Sequence, residues 1–214
     1  MRTQVKICGL KTDEALDAAL DGGADYVGLV FFGKSPRNTT LEDARARAGH
    51  ARGRAGIVAL SVDADDATLD GIVAASKPDV LQLHGHESPE RVAAIKQRYG
   101  LSVWKALPVE TAADAERAFD YAGIADLIVF DGKPPKGATL PGGNGCVFDW
   151  SVLEAIKGRV PFMLSGGLTC ENVGEAVRVT GARAVDVSSG VESAPGVKDP
   201  ELIARFLRAV NGST

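Results

Sequence analysis

Side chains that can gain, lose or bind charge fall at a few widely spaced positions along this chain. Cys8, His84 and Asp131 each stand at the end of a short apolar run, and Arg37 stands in the polar stretch GKSPRN. A thiol and a carboxyl group can act as a base and an acid when their surroundings set their protonation. A guanidinium can bind a carboxylate through two parallel hydrogen bonds. These residue types therefore allow acid–base chemistry on an anionic substrate.

Short apolar runs alternate with stretches of helical composition, and this alternation predicts the elements that position those side chains. Strands are predicted at residues 4–8, 25–31, 55–62, 79–84, 101–107, 125–131, 160–165 and 183–188. Several are too continuously apolar for half-exposed antiparallel strands and are typical of a buried parallel sheet. Helices are predicted between them at residues 12–21, 40–52, 65–76, 88–99, 112–122, 170–180 and 199–210, with Gly49 and Gly71 interrupting or ending two of these.

Eight strands, each expected to precede a helix and seven of them with an assigned helix range, favour an α/β fold, a single-domain parallel (β/α)8 TIM barrel over residues 1–214. The alternative is an open doubly wound sheet, which usually binds its ligand through a glycine-rich first turn. The first turn here, residues 8–11, has no GxGxxG motif. The long stretch 132–147 after the sixth strand is typical of an active-site lid.

In a parallel barrel the carboxyl ends of all strands meet at one rim, where the chemistry takes place. Alternation along a strand puts Lys6 and Cys8 on one face of the first strand, and Asp186 and Ser188 on one face of the eighth. Ile7 and Val187 then point towards the helices. We therefore expect the polar set to share the barrel interior near this rim.

Two turns rich in glycine and serine follow the seventh and eighth strands, where barrels often bind phosphate through backbone amides. Glycine has no Cβ, so its N–H group can approach an oxyanion closely. The expected partner is a phosphorylated small molecule. The candidate phosphate-binding residues are Gly166, Gly167, Ser188, Ser189 and Gly190.

Composition and charge narrow the class of protein. Apolar residues make up 45% of the 214, ample for a core, and a net charge of −4 gives no overall basic field for nucleic acid. No apolar run reaches the length of a membrane helix, and the first residues lack the apolar stretch of a signal peptide. Three cysteines without CxxC spacing indicate free thiols. We expect a cytoplasmic monomer without nucleic-acid or membrane partners and without a metal site.

Each candidate also has a purely structural interpretation. Cys8 could be a small buried hydrophobe, and His84 a hydrogen-bonded core histidine. Asp131 could cap a helix, Arg37 could be a solvated loop charge, and the glycine pairs could be tight turns. The functional interpretation is favoured because all of them fall on the one rim where a barrel builds its site.

Seven segments, in order along nearly the whole chain, resemble the phosphoribosylanthranilate isomerase family. They are KICGL at 6–10, SPRN at 35–38, QLHGHE at 82–87, FDG at 130–132, GGNGCVFDW at 142–150, LSGGLTCENV at 164–173 and VDVSSGVESAPGVKD at 185–199. KICG and VDVSSGVE…PGxKD are specific to the family, whereas SGG and QLHG are weaker by themselves.

The resemblance implies an Amadori rearrangement of N-(5-phosphoribosyl)anthranilate to 1-(o-carboxyphenylamino)-1-deoxyribulose 5-phosphate in tryptophan biosynthesis, with neither metal nor organic cofactor. It implies Cys8 as the general base and Asp131 as the general acid. The implied substrate contacts are Arg37, for the anthranilate carboxylate, His84 and Asp186. A cysteine base needs thiolate character, for which Lys6 and a helix N-terminus are candidate causes.

Two positions depart from the family's pattern. The lid motif usually reads Gly-Gly-Thr/Ser-Gly, and Asn144 stands in place of the hydroxyl residue, which implies modest effects on lid closure. The turn after the seventh strand usually carries a proline where this chain has Cys170, which implies a less rigid start to the next helix.

Two other classes of protein stay open. Another phosphosugar barrel is one: an indole-glycerol-phosphate lyase would need a catalytic lysine, for which Lys105 is the candidate, and a pentose-phosphate epimerase would need a His/Asp metal cluster, for which three histidines are few. A non-catalytic phosphate-binding barrel is the other. It is disfavoured because Cys8 and Asp131 are both present within matching motifs.

Overall fold

Eight parallel strands close into a barrel in chain order, from β1 next to β2 through to β8 next to β1. The computed structural model describes residues 2–135, 137–138, 140–143 and 145–212. Each predicted strand overlaps an observed one, and the predicted fold class is confirmed. The strands are β1 Gln4–Cys8, β2 Tyr26–Phe31, β3 Gly56–Ser61, β4 Val80–Leu83, β5 Ser102–Val109, β6 Leu127–Gly132, β7 Phe162–Leu164 and β8 Ala184–Val187.

Helices cover the outside of the barrel in the connections between strands. The α-helices are α1 Asp13–Asp21, α2 Leu41–Ala51, α3 Asp66–Ser76, α4 Pro89–Tyr99, α5 Ala112–Glu116, α6 Val173–Thr180 and α7 Pro200–Asn211. The predicted helix at 112–122 continues beyond α5 as a 3-10 helix, Arg117–Tyr121. Among the described residues between β6 and β7 the helical segment is also a 3-10 helix, Trp150–Ile156, so the expected α-helix there is replaced. None of the described helices is both long and apolar enough to cross a bilayer.

Side-chain caps fix where several helices begin. Thr12, Thr40, Asp65 and Ser88 each accept a hydrogen bond from a backbone N–H in the first turn of the helix that follows. The expectation that Gly49 and Gly71 interrupt or end helices was wrong, because they lie inside α2 and α3. A glycine costs only about 1 kcal/mol in a helix, and capping together with a buried alanine or leucine face outweighs that.

The barrel interior is apolar below and polar near the rim. The lower interior packs apolar side chains around the edge-to-face pair of Tyr26 and Trp104. Lys6 stands in register with Asp186 inside the barrel, while Ile7 and Val187 belong to the larger core between strands and helices. The predicted alternation on the first and last strands is confirmed. A short antiparallel hairpin, β9 Glu192–Ala194 and β10 Val197–Lys198, stands between β8 and α7.

Candidate active site

A cavity at the carboxyl ends of the strands brings together most of the predicted site residues. Its walls include six of them, and the apolar side chains Val30, Phe32, Leu60 and Val62 face them. Leu140–Gly143 of the long loop after β6 also line it. The six are Cys8, Arg37, His84, Asp131, Asp186 and Ser188.

The Cys8 thiol lies at the end of β1 beside a buried ion pair. Lys6 Nζ donates to Asp186 Oδ1 at 2.9 Å, and both side chains are buried. Burial raises the pKa of the Cys8 thiol, and the negative charge of Asp186 adds to this, whereas the positive charges of Lys6 and Lys198 oppose it. The expectation of a lowered pKa is therefore not met, because desolvation outweighs the ammonium groups. Burial disfavours the charged form of Lys6. The charges of Asp186 and Cys8 and their hydrogen bonds to the ammonium outweigh this effect and raise the pKa of Lys6.

The Asp131 carboxylate lies one residue before the end of β6 and faces both a histidine and the lid. Its Oδ2 lies 3.3 Å from His84 Nε2 and accepts a hydrogen bond from the Gly143 N–H at 3.3 Å. On the far side of the imidazole ring, His84 Nδ1 lies 3.3 Å from the Gln82 amide nitrogen. Gln82 is a contact that the sequence analysis did not single out. His84 is thus oriented between β4 and the carboxylate, and an added Cβ at Gly142 would come within 2.4 Å of His84 Nε2.

The Arg37 guanidinium is held from the side by a residue that the sequence analysis did not identify. Its Nε and Nη2 donate to the two carboxylate oxygens of Glu192, at 2.7 and 2.9 Å. Nη2 also donates to the Gly143 carbonyl of the lid, at 3.2 Å. Glu192 and its second cation, Lys198, both lie in the segment VDVSSGVESAPGVKD. The predicted contacts within this segment are Asp186, Ser188, Ser189 and Gly190, and they include neither Glu192 nor Lys198.

The two predicted phosphate turns pack against each other and beneath the lid. Ser165 and Ser188 line the cavity. Their chain neighbours do not line it among the described residues: these are Gly166, Gly167, Ser189 and Gly190. Gly166 and Gly167 have φ of +89° and +63°, a region that side chains with a Cβ rarely adopt. The lid covers this turn, since a Cβ at Gly167 would lie 2.5 Å from Val147 Cγ2. Packing therefore requires residues without a Cβ at both positions, and the same lack of a Cβ would let an anion approach the backbone N–H groups.

Of the two departures from the family's pattern, one can be located. Asn144 lies outside the described residues. Cys170 precedes α6, which begins at Val173 rather than at 170, and its Sγ lies 3.7 Å from the Leu202 carbonyl. Asn172 instead organises this turn: it accepts from the Thr169 N–H at 2.8 Å and donates to the Gly167 carbonyl at 2.9 Å. The two side-chain hydrogen bonds of Asn172 thus fix this turn, which in the family's usual pattern a proline would stiffen.

Gly190→Ala is expected to destabilise the protein by about 1–3 kcal/mol, because an added Cβ would lie 1.8 Å from the Leu168 carbonyl oxygen and force the two phosphate turns apart. Gly49→Ala is the matched control. Apart from its chain neighbours and the backbone of α2 itself, no atom lies within 4 Å of a Cβ added there, so alanine should stabilise by about 0.5–1 kcal/mol. Thermal unfolding of both variants measures the two shifts. Equal unfolding temperatures would contradict the tight packing of the two turns.

Lys105, the candidate catalytic lysine of a lyase, has a structural role. Its Nζ donates to Glu87 Oε2 at 3.0 Å and to the carbonyl oxygens of Leu83, Gly85 and Ala106 at 3.3, 2.8 and 2.9 Å. Glu87 in turn accepts from the backbone N–H groups of Asp63 and Gly85. An ammonium with these four acceptors fixes the loop after β4, and its side chain is only 1% exposed. Within the described part of the chain, no group of three or more His, Cys, Asp or Glu side chains could hold a metal ion.

Comparison with known proteins identifies the family. The model of the N-(5'-phosphoribosyl)anthranilate (PRA) isomerase family matches residues 5–209. The chain belongs to this family. An N-(5'-phosphoribosyl)anthranilate isomerase of Mesorhizobium japonicum is 56% identical over 213 residues, which are 100% of this chain and 97% of the relative. The chain is therefore an isomerase.

Solved structures of this family share the fold. A structure described as monomers of the dimeric phosphoribosylanthranilate isomerase from Thermotoga maritima has a TM-score of 0.85 and 36% identity, covering 98% of this chain and 99% of that one. A second, of a phosphoribosylanthranilate isomerase in complex with reduced 1-(o-carboxyphenylamino)-1-deoxyribulose 5-phosphate, has a TM-score of 0.86 and 34% identity with the same coverage. The barrel found here is thus that of the family.

Proposed function

We propose that Cys8 and Asp131 are the base and the acid with which this chain isomerises N-(5'-phosphoribosyl)anthranilate to 1-(o-carboxyphenylamino)-1-deoxyribulose 5-phosphate. Family membership gives the reaction, which is a step of tryptophan biosynthesis. The observation that supports the two roles is that a thiol, a carboxyl group and a guanidinium line one cavity at the carboxyl rim of the barrel. A pocket with a few convergent polar groups on an apolar wall suits a small aromatic phosphosugar.

The reaction needs two proton transfers on the sugar. Asp131, protonated, gives its proton to the ring oxygen as the bond between that oxygen and C1 breaks, and the anilino nitrogen forms a Schiff base with C1. The Schiff base acidifies the proton on C2. Cys8 as thiolate takes this proton, which leaves an enolamine. Protonation at C1 and loss of the enol proton then give the ketone, so the product is an isomer of the substrate.

The remaining predicted contacts bind the two ends of the substrate. Arg37 binds the anthranilate carboxylate, and Asp186 and His84 line the sugar. The phosphate lies at the two turns after β7 and β8, on Gly166, Gly167, Ser188, Ser189 and Gly190. Support for this comes from Ser165 and Ser188, which put both turns on the cavity wall.

Three further proposals concern the protein as a whole. Residues 1–214 form one domain, supported by the closure of β1 on β8. The protein acts in the cytoplasm, supported by three reduced cysteines, one of them the proposed base. It acts as a monomer, although the related Thermotoga maritima enzyme is described as dimeric. Light scattering on the purified protein gives its mass directly.

Lys6→Met is expected to slow alkylation of Cys8 by iodoacetamide by about tenfold near pH 8, because loss of the neighbouring positive charge raises the thiol pKa further and lowers the thiolate fraction. Lys6 is the strongest favourable charge on the thiol. Mass spectrometry of peptides follows Cys8 separately. Cys170, whose pKa responds to the charges of Glu171, Arg205 and Arg208, serves as the internal control. An unchanged rate at Cys8 would mean that Lys6 does not support the thiolate.

The proposed reaction is tested by following the fluorescence of freshly made phosphoribosylanthranilate, which is lost on turnover. The protein is expected to consume it at micromolar to millimolar substrate. A folded protein that binds the reduced product but does not turn the substrate over would contradict the reaction and leave a phosphate-binding barrel.

A further inference from the structure

Arg37 reaches the cavity with one edge of its guanidinium already occupied. The edge made by Nε and Nη2 faces the Glu192 carboxylate, with both hydrogen bonds formed at 2.7 and 2.9 Å. The two side chains are only 7% and 4% exposed. A planar guanidinium has five N–H donors in a fixed fork, so binding at this edge sets the direction of the other edge, Nη1 and Nη2.

The other edge points at the lid and the cavity, and a backbone carbonyl already occupies its Nη2 end. Nη2 donates to the Gly143 carbonyl at 3.2 Å, and a Cβ on Gly143 would come within 2.6 Å of Nη1. A backbone carbonyl oxygen thus stands where an oxygen of a substrate carboxylate would be accepted. A substrate carboxylate can bind Nη1 and Nη2 together in this geometry only while Glu192 binds the edge made by Nε and Nη2.

Glu192 is itself fixed by a second cation and by the hairpin that carries it. Lys198 Nζ donates to Glu192 Oε1, and the Gly196 N–H donates to Oε2 at 3.2 Å. Burial opposes ionisation of the carboxyl group, but Arg37 and Lys198 outweigh it and lower the pKa of Glu192. Two cations around one carboxylate leave a single positive charge at this corner of the cavity. That charge suits an anionic substrate group.

The same hairpin is joined to the phosphate turn and to the base. Lys198 Nζ donates to the carbonyl and the hydroxyl oxygens of Ser188, at 3.0 and 3.1 Å. Ser188 Oγ in turn donates to the Cys8 carbonyl at 3.1 Å. β9 and β10 therefore set Arg37 relative to both the phosphate turn and Cys8.

We propose that Glu192 is the positioning residue that makes this enzyme select a carboxylated aniline. It holds the side edge of Arg37 so that the end edge meets the ortho-carboxylate of the substrate. This inference rests on the proposed function, because it assigns Arg37 to that carboxylate. Glu192 does not touch the reacting atoms and acts through Arg37.

The test compares two ligands that differ only in the carboxylate. They are the reduced product, 1-(o-carboxyphenylamino)-1-deoxyribulitol 5-phosphate, and its phenylamino analogue, with Kd measured by calorimetry. In Glu192→Gln the preference for the carboxylated ligand is expected to fall by about tenfold, with the phenylamino ligand binding within about twofold of the unmodified protein. Glu201→Gln, an exposed glutamate of α7, is the matched control and should leave both Kd values unchanged.

An equal loss for both ligands, or an unchanged preference, would overturn the role of Glu192. If Glu192→Gln does not fold, Glu192→Asp keeps the charge but is one methylene too short to meet both Nε and Nη2, and the same preference should fall by at least about threefold. In an Arg37→Met background, Glu192→Gln should change the preference no further. Turnover is measured separately: its absence in the unmodified protein contradicts the proposed reaction, whereas the Kd preference still decides the role of Glu192.

Discussion

Cys8→Ser is expected to lower kcat by about 10²–10⁴-fold while the protein keeps its fold. A serine hydroxyl fits the same space at the end of β1, but it is far too weak an acid to be deprotonated at neutral pH. The hydrogen bond between Ser188 and residue 8 uses a backbone carbonyl and survives the change. The loss should therefore fall on the proton transfer from C2 and not on stability.

The pH dependence of the unmodified protein provides an independent measurement of the same role. The base must be ionised to act, and burial raises the pKa of the Cys8 thiol, so the rate at which iodoacetamide alkylates Cys8 should rise with pH through the range in which that thiol ionises. Cys170→Ser is the matched control, because Cys170 lies at the edge of α6 and does not line the cavity. A Cys8→Ser variant within tenfold of the unmodified protein would mean that another group takes the proton.

Asp131→Asn is expected to lower kcat by a similar factor, about 10²–10⁴-fold, because an amide has no acidic proton for the ring oxygen. Its oxygen can still accept from the Gly143 N–H, so the contact between lid and site is preserved. Turnover of phosphoribosylanthranilate at equal concentrations of folded protein measures the loss, and the circular dichroism spectrum checks the fold.

His84→Gln tests whether Asp131 or the neighbouring His84 donates the proton. His84 Nε2 lies 3.3 Å from Asp131 Oδ2, so the imidazole orients the carboxyl group and is expected to matter about tenfold or less. If His84→Gln lost as much activity as Asp131→Asn, the histidine rather than the aspartate would be the proton donor.

The fold and the place of the chemistry could be predicted from the sequence because both depend on local periodicity. Continuous apolar runs separated by capped helices predict parallel strands, and the carboxyl ends of such strands share one rim. Cys8, His84 and Asp131 lie at or within one residue of the ends of their strands, so a single rule brings them together in one cavity, as found. Lys6 and Asp186 face each other for the same reason.

Other features depend on contacts between distant parts of the chain, which no local pattern reports. Arg37 and Glu192 are 155 residues apart, and their ion pair exists only because the hairpin β9–β10 folds back over the loop after β2. The direction of the pKa shift of Cys8 depends on the balance between burial and charge. Lys105 could be assigned a structural role only once its four acceptors were located.

The ion pair between Lys6 and Asp186 joins the first and last strands of the barrel, 180 residues apart in the chain. During folding neither charge meets its partner until β8 has been laid against β1, and a buried charge without a partner is costly. Barrel closure and assembly of the site are therefore one event, since Cys8 stands two residues from Lys6 on β1. The pairing of β1 with β8 is the seam at which the barrel closes. Activity recovered on refolding reports the closing of that seam rather than the formation of separate β/α units, and it is a late event for a chain emerging from the ribosome.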